Sequence, residues 1–360
     1  MTQQTARTVQ LSIFLPTYRS DMMAISRIAQ ACSWASSQIE VIVRDNSGDS
    51  NKRDLIGRFQ RDNCTIIRAE PCDGPTNFAE GLRLATGEFL YAIADDDLYF
   101  DRAITALPAM VDAHGKDPSV AGMTGAYSME ASAGSSLVEY QNIDSDDVTA
   151  RVAGYLSSRA GNVLIYSPHR RAMVQRSFEF MRSLPAYFSF HDQVLSLVYL
   201  LNGRYIAMPR IIYGYDIGPW EVPLQAQKQD LGFYTAAGLD PAINKLHWFL
   251  CGFEGAVLAR NSDLFPDPGP GRRQAIADQW FAVMFARFLQ SPRYTAESPY
   301  TAPAEALCQK LGASQGRLSF EGMLADIAGL MEVFAPDLAR RYFQFWSAAM
   351  NRRQPAAASA

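Results

Sequence analysis

The chain has 360 residues, of which 48% are apolar and 19% charged, with a formal net charge of -4. This composition is too apolar for disorder, is long enough for one large domain or two ordinary ones, and lacks the basic runs of a nucleic-acid partner. The five cysteines are scattered without a Cys-x-x-Cys pair, which argues against a zinc site or a disulfide framework and favours a reducing cytoplasm.

Residues 11–15 read as a buried strand that ends at Pro16, followed by a helix over 22–36 with Ile25, Ile28, Ala29 and Cys32 on one stripe. A second strand over 41–43 runs into the polar cluster Asp45-Asn46-Ser47-Gly48-Asp49. Leu55, Ile56 and Phe59 share a helix face, and 65–67 is a short third strand. Phe78, Leu82 and Ala85 mark a helix that stops at Gly87, and 89–94 is a fourth strand leading into Asp95-Asp96-Asp97. Ile104, Leu107 and Val111 form the next helical stripe. Strands are expected over 119–123, 162–166 and 205–208, with a helix over 193–201 before Gly203. Alternation of this kind predicts an α/β domain over 1–220.

Beyond Trp220 the pattern becomes helical, over 242–258, 272–289, 304–311, 321–334 and 339–350, with a Pro/Gly-rich break at 266–271. A helical C-terminal domain is therefore expected over 221–353, and a disordered tail over 354–360. A membrane span needs roughly 20 apolar residues. The most apolar stretch, 246–258, is shorter and interrupted by Glu254, so no transmembrane segment is expected. The polar N-terminus lacks the apolar core of a signal peptide, so the expected site is cytoplasmic, extending to the inner face of a membrane.

Three adjacent carboxylates at a strand end repel one another unless a cation lies between them. Alternation along an extended chain lets Asp95 and Asp97 point the same way, as hard oxygen ligands for Mg²⁺ or Mn²⁺. A solvated acidic turn is the bland alternative. Position favours the metal, because ligands bind at the carboxyl edge of open α/β sheets. Tyr18 offers an aromatic face there and Asp45 an acceptor.

In order along the chain, Leu11–Thr17 with Tyr18, the segment 40–47, Gly74, Asn77 and Gly81 with 85–89, and Asp95-Asp96-Asp97 resemble the opening of family 2 glycosyltransferases. The resemblance extends to about residue 215. It implies a GT-A fold: a Rossmann-like, mostly parallel central sheet flanked by helices. It also implies a nucleotide-diphosphate sugar as donor and inversion at the anomeric carbon; Asp45 is compatible with uracil or thymine, which favours a UDP- or dTDP-sugar, and does not exclude guanine. Pro16, Thr17, Tyr18, Asp45 and Asn77 would border the nucleotide, with Asp95 and Asp96 on the donor side. Asp97 would be the main metal ligand, with Asp95 the second. Arg44 departs from the family, where an acidic residue is frequent.

Inverting transfer needs a base for the acceptor hydroxyl. By the resemblance Asp192 takes that role, and His191 stands where glutamate is usual. His191 can itself take the proton, orient Asp192 or cap the helix. Asp216 is the candidate third metal ligand in place of a late histidine, and Trp220 a candidate sugar platform. His169-Arg170-Arg171 reads as a basic turn, while His114 and His247 read as structural. The acceptor would be a glycan, lipid-linked or protein hydroxyl, in surface-polysaccharide or glycoconjugate synthesis. Apolar stripes at Phe281, Met284, Phe285 and Phe288, and at Phe343, Phe345 and Trp346, leave room for a homodimer or peripheral membrane contact. Two other readings stay open: a sugar nucleotidyltransferase, though Pro16-Thr17-Tyr18-Arg19 is no Gly-rich phosphate loop, and a catalytically degenerate binding module.

Overall fold

The computed structural model describes residues 9–140, 142–158, 163–186, 191–236, 238–261, 263–291, 301–313, 319–333 and 335–351. The expected tail at 354–360 lies outside these residues, as do the element ends expected at Asn162 and Phe334. The chain forms two compact units, one of Met1–Glu179 with Asn202–Ala226 and one of Phe180–Leu201 with Gln227–Ala360. The segment that carries His191 and Asp192 thus groups with the later helices.

In the first unit β1 (Leu11–Thr17), α1 (Met22–Ser33), β2 (Ile39–Asp45), α2 (Ser50–Gly57), β3 (Cys64–Arg68), α3 (Gly74–Leu82) and β4 (Phe89–Ala92) alternate. Then come β5 (Leu98–Tyr99), α4 (Asp101–Ile104), α5 (Leu107–His114), β6 (Val120–Ala131), β7 (Gly134–Val138), α6 (Val148–Ser157), β8 (His169–Arg170) and α7 (Arg171–Met181). After α8 (Asp192–Asn202), which belongs to the second unit up to Leu201, the first unit resumes with β9 (Arg204–Asp216) and α9 (Gly218–Glu221). The strands form one mixed sheet in the order β3-β2-β1-β4-β8-β6-β9-β5, with β7 on β6. The longest ladders, β1 with β2 and β6 with β9, are parallel; β8 inserts antiparallel between β4 and β6. β1 is buried almost continuously, Leu11, Ile13, Phe14 and Leu15 being inaccessible, as a strand covered on both faces requires.

Strand order reverses at β1, whose neighbours are β2 on one side and β4 on the other. In a doubly wound sheet such a reversal opens a crevice at the carboxyl ends of the strands. Helix caps fix the connections around it: Asp21, Asp49 and Asp73 each accept backbone amides at the starts of α1, α2 and α3.

Several local expectations change. α3 stops at Leu82, and Gly87 serves close packing instead of ending the helix. A Cβ there would lie 2.6 Å from the Ser12 amide nitrogen, so only glycine lets this loop press on β1. The stripe of Ile104, Leu107 and Val111 is buried but divided between α4 and α5. The strand expected at 162–166 is a 3₁₀ turn over Val163–Ile165. Leu55 is exposed, and the buried residues of α2 are Lys52 and Ile56.

In the second unit α10 (Pro223–Ala236), α11 (His247–Asn261), α12 (Pro270–Gln290), α13 (Thr301–Ala313), α14 (Leu324–Glu332) and α15 (Pro336–Asn351) follow one another. α11 and α12 pack closely where Gly255 faces the Trp280 indole, whose Nε1–H donates to the Cys251 carbonyl at 3.0 Å. The α12 stripe of Phe281, Met284, Phe285 and Phe288 is buried within this unit, against Phe249 among others. Phe343 meets Phe253 and Phe345 meets Phe180, so both stripes serve the unit's own core. Among the described residues no helix is long and apolar enough to cross a membrane.

Candidate active site

Parallel pairing of β1 with β2 sets Thr17 beside Asp45 at the carboxyl edge. Asp45 is inaccessible to solvent. Its Oδ1 accepts from the Lys52 ammonium at 2.8 Å and from the Ser47 amide at 3.2 Å, while Arg53 lies 3.7 Å from Oδ2. Lys52, equally buried, also donates to the Thr17 hydroxyl at 2.8 Å, and that hydroxyl donates to Asp95. A chain of contacts therefore links Asp45, Lys52, Thr17 and Asp95. Asp45 is turned inward, a placement the sequence did not suggest.

Lys52 was not among the expected site residues. Its signal lay in the spacing of Lys52, Ile56 and Phe59 at i, i+4 and i+7, a lysine on an otherwise apolar helix stripe. Removing one partner of a buried ion pair leaves an uncompensated charge, which costs about 3–5 kcal/mol. The Lys52→Met variant should lose stability of that order, read as a lower urea midpoint. A Lys52→Met/Asp45→Asn double variant should recover part of the loss.

Asn77 on α3 braces the same edge. Its amide donates to the Arg44 carbonyl at 3.2 Å and to Asn46 at 3.1 Å, and its carbonyl accepts from the Arg44 guanidinium. Arg44, the departure from the family pattern, is in this way taken up by α3. Pro16 is half-buried, and Tyr18 is 71% exposed.

The acidic run occupies a bend between β4 and β5, three residues beyond the last residue of β4. Burial alternates: Asp95 and Asp97 are buried and Asp96 is exposed. Their partners differ. Asp95 accepts from Thr17 on β1, whereas Asp97 accepts from the Tyr213 hydroxyl and from the Asp216 amide at 3.1 Å, both on β9. Asp96 faces outward to Arg19, 3.2 Å away. The β5–β9 pairing, with Tyr99 opposite Tyr213, brings Asp97 to this strand.

Burial works against charge on both carboxyls. Burial raises the Asp95 carboxyl above its usual range, and burial followed by repulsion from Asp96 pushes Asp97 up to about 7. Tyr213 is enclosed by Tyr166, stacked at 4.7 Å, and by Tyr99 at 5.6 Å, so Asp97 looks onto a wall of tyrosines. Asp216 touches Asp97 through its amide, and its own carboxylate accepts from the Gly218 amide at 2.9 Å. Among the described residues no group of three or more His, Cys, Asp or Glu is arranged to hold a metal. Asp95 and Asp97 alone are a partial donor set. An ionised carboxylate offers about four acceptor positions, so both retain capacity beyond these hydrogen bonds.

The remaining candidates fall into place. Trp220 is half-buried on α9. Arg170 of the supposed basic turn donates to the carbonyls of Val120, Gly115 and Asp117, which makes it a structural tie. His169 contacts the Tyr205 hydroxyl at 2.7 Å, and burial lowers its pKa to about 3. His247, in contact with Tyr234 at 3.0 Å, is likewise lowered to about 3 by burial.

In the second unit Asp192 is the first residue of α8, and the His191 carbonyl accepts the Leu195 amide at 3.0 Å. Part of the Asp192 surface is exposed, but its Oδ1 is enclosed and desolvation pushes the carboxyl up to about 7. His191 is buried beside it.

No protein-family profile and no curated protein sequence matches the chain. Solved structures do. S. aureus TarS 1–349 in complex with UDP-GlcNAc aligns over 96% of this chain and 92% of its own, at 16% identity and a TM-score of 0.54. The same fragment in another crystal structure gives 15% identity, coverage of 96% and 92%, and a TM-score of 0.51. A longer TarS structure gives 16% identity and a TM-score of 0.53; the chain covers 94% of itself but 55% of that protein. TarS is a family 2 glycosyltransferase of the GT-A fold, and this chain shares that fold over nearly its whole length, helical C-terminal region included.

Proposed function

We propose that the protein is an inverting glycosyltransferase that moves a sugar from a nucleotide-diphosphate donor, UDP- or dTDP-linked, to an acceptor hydroxyl. The acceptor would be a glycan, lipid-linked or protein substrate of surface-polysaccharide or glycoconjugate synthesis. The observation that carries this reading is the pair of buried aspartates, Asp95 and Asp97, tied to β1 and β9 at the carboxyl edge of a GT-A-like sheet.

Pro16, Thr17 and Tyr18 border the base and ribose, with the Tyr18 face available for stacking. Asp45 contributes from the floor of this edge, its carboxylate held by Lys52, and Asn77 keeps the end of β2 in place. Asp97 and Asp95 would hold Mn²⁺ or Mg²⁺, with phosphate oxygens and water completing the shell. Such an ion supplies positive charge toward a leaving diphosphate. Asp96 with Arg19 forms the exposed rim on the donor side. Asp192 takes the acceptor hydroxyl's proton, a role suited by a carboxyl poised near 7. His191 assists Asp192.

Incubation with a panel of nucleotide sugars, starting from UDP-GlcNAc, tests the proposal through release of free nucleotide diphosphate. Release with one UDP- or dTDP-sugar that requires Mn²⁺ or Mg²⁺ is expected. No release with any donor, under conditions where the protein is folded, would favour a binding module.

A further inference from the structure

A charged residue in the middle of a buried apolar helix needs a partner. Every residue of α11 from Phe249 to Ala259 is buried, and Glu254 stands among them with no accessible surface. Its Oε2 lies 2.5 Å from Nε2 of His191, the residue before Asp192. Its other oxygen, Oε1, accepts from the hydroxyl of Tyr342 on α15, which is also fully buried. The carboxylate is thus held by the Tyr342 hydroxyl on one oxygen and lies in close ion-pair range of the His191 ring with the other, and that ring stands at the start of the helix that carries Asp192.

Burying a carboxylate costs several kcal/mol unless geometry and hydrogen bonds compensate, and a well-packed apolar side chain is often as stable. A fold that needed only packing here could do without the pair. What the pair would supply, with the His191 ring protonated, is a positive charge next to Asp192. The charge of His191 favours the ionised Asp192 carboxylate, against the desolvation that opposes it.

We propose that Glu254 is a positioning residue for acceptor deprotonation: it holds His191 as an imidazolium of fixed orientation, and His191 in turn holds Asp192 ionised and aimed. This rests on the reading of Asp192 as the base. It gives the helical region a share in the acceptor chemistry. Other ionisable groups face the cluster from each neighbouring element. Tyr234 on α10 and Tyr342 on α15 face Glu254, and Cys251 on α11 faces both Glu254 and Asp192. His247 at the start of α11 faces His191, and Arg287 on α12 faces Cys251.

The test uses the full chain, the fastest donor of the panel with Mn²⁺, and water as acceptor. Glu254→Gln, which keeps the volume, should lower kcat by roughly tenfold to a hundredfold, the scale of a misplaced reacting group. Its donor KM should stay within about twofold. Its kcat–pH profile should shift to higher pH, since Asp192 loses the neighbouring cation. Tyr342→Phe should shift the profile in the same direction by less. With only four histidines in the chain, ring resonances can be assigned by NMR. The His191 ring should be doubly protonated at neutral pH in the wild type and singly protonated in Glu254→Gln.

Wild-type rates and an unshifted profile for Glu254→Gln, alongside an inactive Asp192→Asn, would overturn this inference and leave the base assignment standing. An active Asp192→Asn would remove the base assignment and this inference with it. Should Glu254→Gln fail to fold, the wild-type spectrum decides: a neutral His191 ring at pH 7 overturns the proposal.

Discussion

Replacing Asp97 with asparagine should lower metal-dependent kcat/KM by about a thousandfold, the scale seen when one preorganised charge-stabilising group is lost. The substitution keeps size and planarity, so the contact with Tyr213 and the acceptance from the Asp216 amide can largely survive. What disappears is the negative charge that would bind the ion. Donor hydrolysis measured across a Mn²⁺ titration checks this. The variant should need far more metal and plateau far lower, while its circular dichroism spectrum stays that of the wild type. Asp96→Asn should fall much less, because Asp96 is exposed and faces Arg19.

Asp192→Asn should reduce kcat by about 10²–10⁴-fold, the usual contribution of a positioned general base. Its effect on stability should have the opposite sign. The Asp192 carboxyl, raised from an ordinary 3.8 to about 7, holds a proton in the folded chain that the unfolded chain has already released between those values. The folded state therefore binds more protons across this window, and stability falls as pH rises from about 4 to about 7. Asparagine removes that loss. Above pH 7 the variant should be more stable than the wild type, by at most a few kcal/mol on the scale of about 1.36 kcal/mol per pKa unit. Wild-type turnover should meanwhile rise with pH through about 7 as the base ionises. Thermal midpoints and pH–rate profiles of the two proteins, measured together, would show activity and stability changing in opposite directions.

The parallel half of the sheet was legible because its strands are continuous apolar runs covered on both faces: Leu11 to Leu15 and Val41 to Val43 carry no helical period. β5 and β8 were not legible, being two residues long and specified by their partners. β9 runs farther than its apolar core at 205–208, across Pro209 and Arg210, because β6 pairs alongside it with register shifts. The acidic run was visible as a motif only through the order of the segments before it. Its tie to Tyr213 depends on a pairing between residues more than a hundred positions apart, which no local pattern reveals. Lys52 was hidden by its own chemistry, since a lysine is not counted on an apolar stripe. Glu254 showed only as an interruption, and its meaning appeared once α11 brought it to His191, at the position where the resembled family carries a carboxylate of its own.

Binding of a nucleotide sugar to the intact chain, followed by calorimetry with and without Mn²⁺, tests the central claim most directly. Saturable binding of a UDP- or dTDP-sugar that is strong with Mn²⁺, weak in chelator and lost in Asp97→Asn is the predicted result. Absence of binding to any nucleotide-diphosphate sugar, or binding indifferent both to metal and to Asp97, would contradict it.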